Sequence, residues 1–208
     1  MKKLMDRLYS NIDEAKAFML SFTNFVYSYD DMIEADYQTV LCERCGNAIQ
    51  SRDYHFPKAS CQKPTGILDT LEFGVSQELR DDLIERFDIT EMDFRPIRTK
   101  RGNIVYYQIT PQHVMLPIHK ENGWTAKEPC PRCGSVQYTP LDVKKQYRNE
   151  KGEDIYYISQ TALDDMHDLN VTHERFRFFS PEYIISRRVY DYLTERYPRT
   201  HYFPMFLK

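Results

Sequence analysis

"CERCG" occupies residues 42 to 46 and "CPRCG" residues 130 to 134. This pair of Cys-x-x-Cys-Gly turns limits the possible folds more than any other feature of the chain. Two thiolates spaced by two residues can grip one tetrahedral zinc, and two such turns complete a closed four-sulfur site. The glycine after each pair supplies a positive φ where backbone N–H groups turn toward sulfur. Between Cys45 and Cys130 lie 84 residues, against about 15 to 20 in a compact zinc ribbon. An ion held by Cys42, Cys45, Cys130 and Cys133 would therefore staple two remote parts of the chain. A catalytic zinc keeps one position open for water, so this donor set implies a structural metal.

Other readings of the cysteines are plainer. A redox Cys-x-x-Cys opens a helix after a strand. Here Gly46, Gly134 and the prolines 129 and 131 suit a knuckle better. Cys61 is left over, and a small buried hydrophobe is preferred to a substitute ligand working with His55.

A net charge of −3 and a pI near 6.1 lack the basic excess of most nucleic-acid binders. Aromatic residues make up 14% of the chain, enough to build a core and to argue against disorder. Asp6, Asp13 and Glu14 interrupt any apolar signal segment, and no run approaches the ~20 residues of a membrane span. A cytoplasmic protein with reduced thiols is expected.

Apolar residues Ile12, Ala15, Phe18, Met19, Phe22, Phe25 and Val26 recur at helical steps and predict a helix over 11–29, with Ser10 and Asp13 as its start. "YQTVL" (37 to 41) predicts a short strand entering the first knuckle, and "GNIVYYQIT" (102 to 110) a strand after a turn. "TALDDMHDL" (161 to 169) predicts a short helix with Thr161 and Asp164 in capping positions, and 144–154 a charged loop.

An internal repeat organises the rest. "VSQELRDDLIERFDITEMDFRPI" (75 to 97) matches "ISRRVYDYLTERYPRTHYFPMF" (185 to 206). Ser76 and Ser186, Leu79 and Val189, and Leu83 and Leu193 correspond at an offset of 110. Phe94 and Pro96 match Tyr202 and Pro204 at an offset of 108. A serine cap, a helix with apolar residues four apart and a strand ending in aromatic-x-Pro are predicted in each copy. With strand-like runs at 67–73 and 175–179 in front, the copies read as two strand–helix–strand units over 67–97 and 175–206. The expected fold is a single α+β domain over 1–208, with a mixed sheet, packed helices and a split zinc-ribbon-like site. Within it, 1–35 is a helical extension, 37–140 the split knuckle region with the first unit, and 141–208 the second unit.

Little else carries chemistry. His113 and His119 lie near strand ends, but no His-Glu-x-x-His pattern, Gly-x-Ser-x-Gly elbow or phosphate-cradling loop accompanies them. Asp164, Asp165 and Asp168, with His167, form an acidic cluster. Its readings are a solvated helix face, a weak cation site, or a negative patch that meets a basic protein. The basic run "RPIRTKRG" (95 to 102) is read as a solvated loop rather than a nucleic-acid contact.

"CERCG", "CPRCG", the long insert between them and the closing "VYDYLTERYPRTHYFPMF" resemble the bacterial double-CXXCG motif family over roughly 37–208. The helix predicted over 11–29 departs from that family's short strand-like start. The resemblance implies a cytoplasmic immunity protein that binds and neutralises a cognate toxin, with structural zinc and no catalysis of its own. The alternative is a zinc-ribbon nucleic-acid-binding or regulatory protein. An enzyme built on the histidines or aspartates is a third reading.

Overall fold

The computed structural model describes residues 4–20, 42–46, 55–56, 74–99, 101–118, 124–134, 136, 138–140, 148–175 and 181–208. The fold is α+β. Its strands are β1 (Ala17–Leu20), β2 (His55–Phe56), β3 (Gly74–Val75), β4 (Phe94–Thr99), β5 (Ile104–Ile109) and β6 (Trp124–Ala126). They continue as β7 (Tyr138–Pro140), β8 (Tyr156–Ile158), β9 (Leu169–Arg175), β10 (Pro181–Ser186) and β11 (Tyr202–Leu207). The helices are α1 (Leu4–Leu8), α2 (Gln77–Arg86), α3 (Gln160–Asp164) and α4 (Arg187–Arg196). A five-stranded sheet runs β8-β11-β1-β10-β9, a four-stranded sheet β2-β4-β5-β3, and β6 and β7 form a hairpin.

The helix expected over 11–29 is replaced, over the described residues 11–20, by a 3-10 turn at Ile12–Glu14 and the strand β1. All four residues of β1 are buried, because β10 and β11 flank it on both sides in the sheet. A short apolar run of this kind fits a fully buried strand as well as a helix, and long-range pairing decides between them. The guanidinium of Arg187 donates to the Ile12 and Ala15 carbonyls, at 3.0 and 3.4 Å, which satisfies acceptors at the turn. Ser10 does not cap it; its hydroxyl donates to Glu150 instead.

Helices α2 and α4 sit 110 residues apart at both ends. The Ser76 hydroxyl accepts from the Leu79 N–H at 3.1 Å and the Ser186 hydroxyl from the Val189 N–H at 3.3 Å. Each bond satisfies one orphan donor of a first turn. The two larger sheets repeat one another's arrangement. In one, β2 is parallel to β4, which is antiparallel to β5, which is antiparallel to β3. In the other, β8, β11, β1 and β10 have the same relations in the same order.

The registers also agree. Phe94, Arg95, Pro96 and Ile97 face Ile109, Gln108, Tyr107 and Tyr106, just as Tyr202, Phe203, Pro204 and Met205 face Leu20, Met19, Phe18 and Ala17. Val75 faces Tyr107 as Ile185 faces Phe18. An aromatic-x-Pro ending fits an edge strand or a strand end, yet β4 and β11 are interior strands and each continues past its proline. Among the described residues, however, β2 pairs from Arg98 onward and β8 from Met205. Pro96 and Pro204 thus lie outside the ladders of those outer strands, where a missing donor costs nothing.

Elsewhere the structure shifts boundaries. The strand that feeds α4 is β10, at 181–186; most of 175–179 lies outside the described residues, as do 67–73 and 37–41. Helix α3 ends at Asp164 and is capped by Ser159, whose hydroxyl accepts from the Ala162 N–H, and not by Thr161. The strand expected after the Gly-Asn turn is β5, with Gly102 at φ 83°. Within the charged segment, 148–154 closes as a turn in which Arg148 pairs with Asp154.

One core unites the two sheets. Val75, Leu79, Leu83, Phe94 and Ile109 lie in the same apolar cluster as Ile185, Val189, Leu193, Tyr202 and Leu20. Phe18 stacks on Tyr190 with ring centroids 3.5 Å apart. Between the helices, the Tyr192 hydroxyl donates to Asp82 at 2.8 Å, and Arg196 pairs with Asp82 and Glu78.

Two predictions follow from this packing. Ser76→Ala is expected to cost about 1 kcal/mol. Ser186→Ala should cost more, about 2 kcal/mol, because the Ser186 hydroxyl also donates to buried Asp168. Urea unfolding of both variants measures the difference, and equal costs would remove the second role. The other prediction concerns Glu174. Its Oε1 accepts from the Ile118 N–H at 2.8 Å, while its buried Oε2 has no partner among the described residues. Burial pushes this carboxyl above its usual range. A raised folded-state value gives stability that is full at low pH and lost as pH rises through that value. Glu174→Gln should therefore be more stable than the parent at pH 8, with the advantage vanishing below about pH 4, as read by thermal melts across pH.

Candidate metal centre

The second knuckle fills the tip of the β6–β7 hairpin, where Ala126 pairs with Tyr138 just outside it. In that turn the Gly134 N–H donates to the Cys130 carbonyl at 2.8 Å, and the Gly46 N–H donates to the Cys42 carbonyl at 2.7 Å in the other. Both glycines have φ of 72°, in the left-handed region that side chains resist. The two turns share one backbone geometry as well as one residue pattern.

They also meet. All four sulfurs, of Cys42, Cys45, Cys130 and Cys133, lie within 4.8 Å of one another. Cys42 Sγ is 3.8 Å from Cys130 Sγ, and Cys45 Sγ is 3.6 Å from Cys133 Sγ. A tetrahedron with metal–sulfur bonds of ~2.3 Å has edges of ~3.8 Å, so these separations fit one shared ion. They are too long for disulfides, whose sulfurs lie at ~2.05 Å. Cys42 is buried and the other three are half-buried. The backbone N–H groups of Cys133 and Arg132 hold the Cys130 thiol below its usual value, which favours the thiolate a metal needs. Glu43 of one turn pairs with Arg132 of the other, directly across the joint. Both partners are exposed, so the pair aligns the turns more than it stabilises them.

The arrangement can hold a metal ion, and its chemistry is closure. Four sulfurs leave no open position for water or substrate at a tetrahedral ion.

The remaining sequence candidates form no second metal cluster among the described residues: no other group of His, Cys, Asp and Glu gathers three ligand atoms. Asp164 accepts from Gln160 and Asp165 from the Leu116 N–H, at 2.6 and 2.9 Å. Asp168 is buried, and it accepts from the Asp88 N–H at 2.8 Å and the Ser186 hydroxyl at 2.5 Å while pairing with Arg188. Burial alone would raise its carboxyl, but Arg188, Ser186 and Asp88 together hold it below the usual range. The three aspartates are therefore not one helix face: α3 stops before two of them. His113 stacks on His167 at 4.0 Å and lies 3.4 Å from Asp165. His119 and Cys61 lie outside the described residues, and His55 is placed on β2. Of the basic run, Arg98 donates to the Gly102 carbonyl inside the β4–β5 turn. Sequence reading missed Asp168 as a structural hub, because its partners Asp88 and Ser186 are remote in the chain.

Compared with known protein families, characterised proteins and solved structures, the chain matches none.

If the four sulfurs share an ion, removing one should release it. Cys130→Ser is expected to lower the metal content of protein purified in reducing buffer from about one thiophilic ion per chain to well below half, with a lower melting temperature. Elemental analysis and calorimetry check this, and a parent protein without metal would refute it.

Proposed function

We propose that this protein is a cytoplasmic immunity protein that neutralises a cognate bacterial toxin by binding it, with zinc as a structural ion at Cys42, Cys45, Cys130 and Cys133. The observation that carries the reading is the convergence of the two remote knuckles on one four-sulfur site. Zinc is the ion of choice because it favours tetrahedral thiolate sites and brings no redox chemistry. A closed ion supports a role in shaping a recognition surface and not in bond-breaking. The resemblance to the double-CXXCG motif family supplies the partner class. Among the described residues no helix is long and apolar enough to cross a membrane.

Within the same reading, the chain consists of two related strand–helix–strand units with their helices at Gln77–Arg86 and Arg187–Arg196. Matching registers in the two sheets support this. So does the bond between Asp82 and Tyr192, which occupy equivalent positions 110 residues apart. Contact between equivalent positions is what a twofold relation produces at its axis.

Rescue from the toxin tests the function. A toxin gene adjacent to this one should arrest growth when expressed alone, and co-expression of this protein should restore it. Purified toxin and immunity protein should form a stable complex on size-exclusion chromatography. A neighbouring toxin that kills equally with or without this protein would end the immunity reading.

A further inference from the structure

Three loops converge at one end of the molecule. The segment after β5 runs extended along the outer edge of the five-stranded sheet, where the Val171 N–H donates to the His113 carbonyl at 2.9 Å and the Met115 N–H to the Val171 carbonyl at 3.1 Å. The 3-10 turn at Glu91–Asp93 abuts this segment, since Asp93 Oδ1 accepts from the Gln112 N–H at 2.9 Å. The loop after α3 abuts it on another side, through Asp165 to the Leu116 N–H and through His167 stacked on His113. His167 in turn lies 3.7 Å from Asp88, which closes the circuit back to the end of α2.

Side chains alternate along the extended segment as in a strand: Met115 is buried, while Val114 and Leu116 are 56% and 44% exposed on the opposite face. Met92, at 73%, is the most exposed large apolar residue described, and it belongs to the abutting turn. The two bonds to Val171 use the backbone of His113 and Met115. In a parallel ladder the residue between them turns its own N–H and carbonyl outward. Those groups of Val114 have no partner among the described residues. A sheet edge with an open donor–acceptor pair is the template for strand addition.

Charge selects the occupant. Asp88 and Glu91 are strongly exposed and Asp165 partly so. Among the described residues Arg188 pairs with Asp168, and Arg80 with both Asp81 and Glu91, so these two guanidiniums face more carboxylates than they can neutralise. The rim is therefore anionic, which disfavours the same face of a second copy and attracts a cationic segment.

We propose that the edge at Val114, with Leu116 and Met92 beside it and Asp88, Glu91 and Asp165 around it, is a docking surface for an extended basic segment of a partner protein. The segment adds as a strand to Val114, its apolar side chains cover Leu116 and Met92, and its lysines or arginines meet the acidic rim. This rests on the preceding reading that the protein works by binding another protein.

A capped octapeptide alternating lysine with valine and threonine is the probe, titrated into the full-length metal-loaded protein by fluorescence anisotropy, with the glutamate-for-lysine peptide as counterpart. The basic peptide should bind at least tenfold more tightly than the acidic one and weaken as salt rises. Val114→Pro removes the outward N–H without touching the bonds to Val171, and should weaken binding at least tenfold. Asp88→Lys with Glu91→Lys should do the same without altering the backbone, and decides the matter if the proline variant does not fold. Leu207→Ser, an exposed apolar control on β11, should leave binding unchanged. No binding of the basic peptide, equal binding of both peptides, or unchanged binding by the charge variant overturns the proposal. So does a concentration-dependent dimer that Val114→Pro abolishes, because a second copy would then occupy the edge. Each of these outcomes removes this surface while leaving growth rescue, and with it the immunity reading, to its own test.

Discussion

The pairing of β1 with both β10 and β11 holds the two ends of the chain in one sheet. Four residues near the beginning lie between strands that begin at 181 and 202, and all four are buried. Without them β10 and β11 would each lose a ladder, and Tyr190 would lose the ring of Phe18 stacked on it. Closing so long a loop is entropically costly, though the cost grows only slowly with length. Two backbone ladders and a continuous apolar stripe offset it. The same pairing positions Arg187 over the turn at 12–15, so the start of α4 also fixes the start of β1.

The sulfur knuckles make a second long-range tie, through the middle of the chain. Backbone ladders distribute a constraint over many weak bonds; a metal concentrates it at one point. Each turn carries a left-handed glycine, and in the second the N–H groups of Cys133 and Arg132 are directed at the Cys130 sulfur. Preparation of this kind lowers the cost of gathering four like-charged thiolates, and an ion held there would supply the charge that lets them stay together.

Much of this was legible from residues and some of it was not, for physical reasons. Helices α2 and α4 could be read because Ser76 and Ser186 are local caps and Leu79, Leu83, Val189 and Leu193 recur at a local period. The four cysteines could be read because the constraint lies in each pentapeptide. Strand β1 could not, since Phe18 and Met19 satisfy a helical period with their neighbours and only distant partners make them a strand. Asp168 sits in an acidic run and looks solvated. Its burial comes from Asp88, 80 residues away, and from Ser186 and Arg188 at the start of α4. The prolines of β4 and β11 signal edges correctly in their chemistry, but the edge is local to one residue and not to the strand.

The two larger sheets differ at the margin where the proposed docking surface lies. In the five-stranded sheet, β10 is followed outward by β9, and the extended segment after β5 then lies along β9. In the four-stranded sheet β3, which takes the place of β10, is the last strand among the described residues. The two halves therefore share an inner architecture and differ at this margin, where residues 110–118 leave one sheet to border the other. An edge formed by a crossing segment is free of the repeat that dictates the core. Its side chains can change without disturbing either helix cap, either proline position or the sulfur site. On the proposed function, recognition of a partner would be placed where side chains can vary, on a frame whose packing stays constant.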